Sequence, residues 1–200
     1  LKDQIETNDN VHYLGFVPDL LPLPYSEEAL NHVIERVSQV QDFLGRRMLI
    51  ENVSAYIATD DAKSEADFTI ELARRSGCGL LVDVNNLYLS HRNTDLDPQQ
   101  YLKSLDPSKV GEIHIAGFDA DPNFPDELLI DSHASPVDGA VWDLLETALT
   151  ILGPKPVLLE RDDNIPAFSE LVKERDRAHS LLMESSNTIN ESPQGVAYAS

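Results

Sequence analysis

The feature that most constrains this chain is an alternation. From Ser26 onward, amphipathic helical stretches and short apolar strands take turns, five helices around four strands. Leu30, Val33, Ile34, Val37, Val40 and Leu44 recur at the helical period. Ser26 caps them, Glu27 and Glu28 sit where the helix dipole favours acids, and Gly45 stops the run. "RRMLIENVSAY" then reads as a strand through Ile50 that ends at Glu51 and Asn52. Ser64 caps "SEADFTIELARRS", which stops at Gly77, and "CGLLVDVNN" reads as the next strand. Asp97 and Pro98 open the short helix "DPQQYLKSL", with proline at its favoured first position. The strand "VGEIHIAGF", the helix "VDGAVWDLLETALTILG" and the strand "KPVLLERD" follow, and a last helix runs from Pro166 through "FSELVKERDRAHSLLME". Strands separated by helices with short connections lie parallel.

An open doubly wound sheet and a closed (β/α) barrel both meet this pattern. The open sheet usually carries a glycine-rich first turn, and none is found here. A closed barrel needs eight strands and typically ~250 residues. If the chain is an α/β, TIM-type (β/α) barrel, its four strands in 200 residues make it only the C-terminal half, truncated before them. Residues 1–10 are polar and expected to be disordered, 11–184 form the half barrel, and 185–200 lack periodicity and read as a flexible tail. Between them, "VHYLGFVPDLLPLPY" is kept irregular by Pro18, Pro22 and Pro24.

Each strand is apolar until its C-terminal end and then turns polar. The first ends in Glu51 and Asn52, and the second runs into Asp83, Asn85 and Asn86. The third carries His114 between isoleucines, and the fourth ends in Glu160 and Asp162. Asp131 and His133 follow the third strand, where "LLIDSH" approaches like a further short extended piece. In parallel α/β folds the C-terminal strand ends share one face, which is the active-site face. Glu51, Asp83, Asn86, His114, Asp131, His133, Glu160 and Asp162 are thus expected to converge. Carboxylates packed so densely repel unless protonated or neutralised by a cation, and mixed carboxylate, imidazole and amide ligation suits iron, manganese or zinc. So many acids overcharge a single ion, so more than one is expected. Taken singly, Asn52 and Asp162 read as helix caps, His114 as a core histidine, and Asp131 with His133 as a loop pair; the repetition at every strand end favours the metal.

Lys and Arg number 15 and Asp and Glu 35, a net charge of −20 that repels phosphate backbones and anionic membrane surfaces. No membrane-spanning apolar run and no signal peptide are found, and Cys78 is the single cysteine, so no internal disulfide is possible and a cytoplasmic setting is expected. Histidines 12, 32, 91 and 179 lie away from the strand ends.

The segments "DLLPLPYSEEAL", "IENVSAY", "GLLVDVNNLYLS", "EIHIAG", "IDSHASPV" and "LLERD", in this order, resemble the multinuclear non-heme iron-dependent oxidative enzymes (MNIO). These include the iron subunit of the methanobactin-forming oxidase and enzymes that modify cysteines in ribosomally made peptides. The resemblance runs from about Pro18 to the last helix. It implies a xylose-isomerase-like barrel holding two or three irons on the eight residues named above, with Glu51 bridging two of them. It implies further strands before the "LPLPY" segment, and partners in the form of a cysteine-containing precursor peptide and a small companion protein that presents it. The last motif usually has an aromatic between its two acids; Arg161 stands there in this chain, which would put a cation beside the cluster.

The resemblance gives the leading expectation, an iron-dependent oxidation of a peptidyl cysteine with dioxygen. Two other readings fit the same residues: a redox-neutral metal-dependent isomerase or hydrolase on the same barrel, and a non-catalytic remnant or interaction domain. In the leading reading Asp83 and Asn86 face the metal, while Asn85 points elsewhere and braces the loop by hydrogen bonds.

Overall fold

The computed structural model describes residues 4–7, 10–13, 23–58 and 63–191, and the proline-rich connection through residue 22 lies outside them. A two-stranded antiparallel hairpin pairs β1 (Gln4–Thr7), within the segment expected to be disordered, with β2 (Asn10–Tyr13), which runs past its end. Helix α1 (Glu27–Leu44) begins where Ser26 Oγ accepts from Ala29 N and ends at Gly45, whose φ of 64° is the left-handed stop that glycine adopts freely. Strand β3 (Leu49–Glu51) leads to α2 (Glu65–Ser76), and β4 (Gly79–Asp83) passes directly into α3 (Val84–Thr94). There follow α4 (Pro98–Ser104), β5 (Val110–Ala116), the short pair β6 (Asp119–Ala120) and β7 (Leu129–Ile130), α5 (Gly139–Leu152), β8 (Val157–Glu160) and α6 (Phe168–Glu191).

The principal sheet has the order β3-β4-β5-β8, every neighbouring pair parallel. Its register brings the polar strand ends level: Asp83 lies opposite His114, and Ala116 opposite Glu160. An irregularity between Leu80 and Leu81 sets this. Leu80 faces Val110 but Leu81 faces Glu112, so Gly111 is skipped and Asp83 meets His114 rather than Ile113. Bulges re-aim side chains in this way beside functional sites. Leu80, Val82, Ile113 and Ile115 are buried with Leu30, Leu72, Leu87, Leu102, Leu145 and Leu149 from the helices, a single core beneath the polar rim.

Two expectations are corrected. The second strand does not extend through Asn86. It ends at Asp83, whose Oδ1 accepts from Asn86 N at 2.7 Å and so caps α3 with no loop between. Val84, Asn85, Asn86, Leu87, Leu89 and Ser90 are all buried, and a helix buried around most of its girth shows no polar face to betray its period. His91 lies on this helix. The last helix also continues past residue 184 to Glu191, held by Ser185 Oγ donating to Leu149 O of α5 at 3.1 Å.

Candidate metal centre

Glu51 at the end of β3, Asp83 at the end of β4 and His114 on β5 each offer a ligand atom, and the three atoms lie within 4.8 Å of one another, an arrangement that could hold a metal ion. Asp83 is 0 % exposed and its position is fixed from both sides. Asn52 Oδ1 accepts from Asp83 N at 2.9 Å, and Asn52 Nδ2 donates to Asp83 O at 3.0 Å. Asn86 Nδ2 closes the ring on Asn52 O at 3.0 Å. Burial is the first cause that holds the Asp83 carboxyl well above the usual carboxylate range, with the Asp131 and Glu51 charges adding to it. Glu51 is the most open of the three, yet loss of hydration still comes first in pushing its carboxyl up, with Glu160 and Asp131 acting in the same direction and His114 against.

A second group adjoins the first. His133 Nε2 lies 2.9 Å from Asp131 Oδ1, and its Nδ1 lies 3.1 Å from Asp162 Oδ2 and 3.4 Å from Glu160 Oε2. The hydrogen bond to Asp131 is the main cause that pushes His133 up to about 9, against the effect of burial. Its backbone φ is 50°, and Asp162 N donates to His133 O at 3.0 Å. A left-handed non-glycine residue costs energy and persists where its surroundings dictate it. Glu160 joins the groups: its Oε1 is 3.3 Å from His114 Nδ1 while Oε2 faces His133. A cavity of about 220 Å³, lined by Glu51, Val53, Ser54, Asn86, Asp131, His133 and Glu160, opens over them. Asp162 stands at the rim, its side chain 76 % exposed.

The donor set fits a cation. Of the five buried side-chain polar atoms without a hydrogen-bond partner among the described residues, four belong here: Asp83 Oδ2, Asn85 Oδ1, Asn86 Oδ1 and His114 Nδ1. The 3.3 Å approach of His114 Nδ1 to Glu160 is thus an ion-pair distance without hydrogen-bond alignment. Orphaned buried acceptors each cost about 1–3 kcal/mol, and clustered with carboxylates they ask for positive charge rather than for more acceptors.

Other residues of the site were not visible in the sequence. Asn52, read as a cap, bridges β3 to β4 beyond their ladder. Ser54 Oγ donates to Asp131 Oδ2 at 3.1 Å, and Asp131 N donates to Tyr56 Oη at 3.0 Å. Asn85, expected to point elsewhere and brace the loop, stands on α3 and instead donates from Nδ2 to Asp131 Oδ1 of the site at 2.8 Å. Arg161 departs from expectation: it turns from the cluster to α6 and pairs with Glu174 at 3.1 Å, the two side chains 5 % and 18 % exposed. Glu174 Oε1 also accepts from Val137 N at 2.9 Å, so the pair ties the loop behind His133 to α6. Gly117 admits that loop: a Cβ there would lie 1.8 Å from Ser135 O and 2.7 Å from Pro136 O.

With this geometry in place, the chain can be set beside known proteins. Residues 10–183 match the family described as RiPP precursor modification enzyme MbnB/TglH/ChrH, RiPPs being ribosomally made and post-translationally modified peptides. The chain belongs to that family. A UPF0276 protein of Caulobacter sp. (strain K31) is 47 % identical over 181 residues, 88 % of this chain and 64 % of the relative. A second, of Caulobacter vibrioides (strain NA1000 / CB15N), is 47 % identical over 166 residues, 82 % of this chain and 59 % of its own length. The chain thus spans about three fifths of the length of the curated relatives it matches. Among solved structures, the 1.8 Å crystal structure of the IOLI protein with a binding zinc atom aligns with a TM-score of 0.52 and 18 % identity, over 84 % of this chain and 59 % of that one. That likeness makes the family member's fold an α/β fold of the xylose-isomerase-like, TIM-barrel type. Among the described residues, no helix is long and apolar enough to cross a membrane.

Proposed function

We propose that this chain carries much of the metal centre of an iron-dependent oxidase that modifies a cysteine in a ribosomally made precursor peptide. The observation that carries the reading is the set of orphaned buried acceptors grouped with Glu51, Asp83 and His114, whose ligand atoms lie within 4.8 Å. Membership in a family of precursor-peptide modifying enzymes supports a peptide substrate. The proposed ligands are Glu51, Asp83, Asn86, His114, Asp131, His133, Glu160 and Asp162, for two or three irons. When bound, iron would supply the one-electron chemistry that activates dioxygen.

The chain's own residues set the conditions. Asp83 and Asn86 are held by Asn52, so the floor of the site is preformed rather than assembled on binding. Glu160 reaches both groups and is placed to couple them. Glu51 lines the cavity and is the exposed member of its group, where a peptide thiol would approach. The hydrogen bond to Asp131 raises His133 to about 9, so its proton must leave before that nitrogen binds a cation, and burial pushes the Glu51 and Asp83 carboxyls up as well. A small companion protein that presents the peptide belongs to the same proposal.

The test is anaerobic loading with ferrous iron, metal analysis, and oxygen uptake with a cysteine-containing peptide. More than one equivalent of iron and peptide-dependent oxygen consumption support the reading. Tight zinc with hydrolysis or isomerisation and no oxygen uptake would sink it in favour of a redox-neutral enzyme, and failure to retain more than one equivalent of metal would favour a non-catalytic domain.

A further inference from the structure

Asn85 is 0 % exposed and hydrogen-bonded to Asp131 of the site, yet it is not among the proposed ligands. Standing in the first turn of α3, it reaches across 46 residues of chain to Asp131. The amide orientation follows from chemistry: Nδ2 is a donor and the carboxylate only accepts, whereas Oδ1 turned toward Asp131 would set acceptor against acceptor. Ser54, from the segment after β3, takes the other carboxylate oxygen, and Tyr56 takes the backbone amide of the same residue. Asp131 is therefore gripped by separate parts of the chain, although it lies on a loop.

A carboxylate offers about four lone-pair sites, two on each oxygen. Asn85 occupies one on Oδ1 and Ser54 one on Oδ2, which leaves one open on each. The open position on Oδ1 is where His133 Nε2 now lies, at 2.9 Å. We infer that Asn85 and Ser54 are positioning residues that stop the Asp131 carboxylate from rotating and determine which of its lone pairs face a cation shared with His133. The inference rests on the metal reading for its consequence; the grip itself does not.

The test uses the whole chain and cobalt(II) as the probe, read by its visible ligand-field bands and by affinity. Asn85→Ala should weaken cobalt binding by about 10- to 100-fold, the usual effect of losing an outer-shell partner, and shift the bands. Ser54→Ala should act in the same direction. In an Asp131→Ala background, Asn85→Ala should cost no further affinity beyond about twofold, because the group it positions is gone. Equal losses in both backgrounds would reduce Asn85 to a general packing role and overturn the inference. A second measurement needs no metal: by NMR, the Asn85 side-chain amide should exchange slowly and lose that protection in Asp131→Ala. If the unaltered chain binds no cobalt but this protection is coupled to Asp131, the metal reading fails while the grip stands. If the amide is indifferent to Asp131, the grip is refuted whatever metal is bound.

Discussion

Replacing Gly117 by alanine is the sharpest perturbation of this site that touches no proposed ligand. The added Cβ would stand 1.8 Å from Ser135 O, 2.5 Å from its carbonyl carbon and 2.7 Å from Pro136 O. These are backbone atoms, which cannot swing aside as a side-chain tip can. Opening the nearest contact to 3.0 Å, the least that real Cβ atoms tolerate, requires 3.0 − 1.8 = 1.2 Å of relative movement. The loop that must move carries Asp131 and His133, and it is tied behind by Val137 N to Glu174 and ahead by Tyr56 to Asp131 N. Overpacking of this kind costs typically 1–3 kcal/mol. A displacement of about 1 Å at a reactive centre can cost on the order of a hundredfold in rate. Gly117→Ala should therefore lower the melting temperature, weaken metal binding at the Asp131–His133 group by tens-fold or more, and spare the Glu51–Asp83–His114 group. Calorimetry and metal titration read both effects. Gly139→Ala is the control, since a Cβ there meets nothing within 4 Å at the start of α5. A Gly117→Ala chain that melts like the control and binds metal with unaltered affinity would refute the steric argument.

Other outcomes follow from the charged groups. Asp83→Asn keeps a capping side chain for α3 but removes a carboxyl whose ionisation burial disfavours, so the metal-free chain should melt higher while metal retention falls sharply. A histidine raised to about 9 from an ordinary 6.5 contributes stability that is fully present below 6.5 and lost as pH rises through 9. The metal-free chain should thus lose up to about 3 kcal/mol from this source across that window, and His133→Gln should flatten the slope in pH-dependent denaturation. Over the same window metal affinity should climb, because binding must displace the same proton. Away from the site, burial pushes Glu65 up to about 7, against a hydrogen bond from Tyr25, so its contribution declines as pH rises from 4.5 to 7. Glu65→Gln should raise the melting temperature at pH 8 and change it little at pH 4; equal effects at both would refute the assignment.

The alternation of apolar strands with amphipathic helices was legible because each unit carries its own cap and stop, as Ser26 with Gly45 and Ser64 with Gly77 show. The convergence of Glu51, Asp83, His114 and Glu160 followed from parallel strands alone. What stayed hidden depends on partners distant in sequence. Asn52 pairs with the backbone of Asp83, 31 residues away, and nothing near it distinguishes that role from a cap. The slip that skips Gly111 decides that Asp83 faces His114, and a strand pattern does not reveal an extra residue. Helix α3 was missed because burial on most sides erased its period. Arg161 was misplaced because a strand's end does not disclose whether the next side chain turns to the sheet's mouth or to the helix behind it.

The direct passage of β4 into α3 has a consequence for how such a site can vary. Asp83 is the last strand residue and Val84 the first helical one, so no connection exists that could lengthen or shorten. One inserted residue would turn every later side chain of α3 by about 100°, carrying Asn85 off Asp131 and Asn86 off Asn52 together. This corner of the molecule is closed to gradual remodelling by length. The stretch from Gly117 to Asp138, which holds only the two-residue strands β6 and β7, has no such restriction in its outer part, and there a lineage can grow or trim the rim of the cavity while the floor stays fixed.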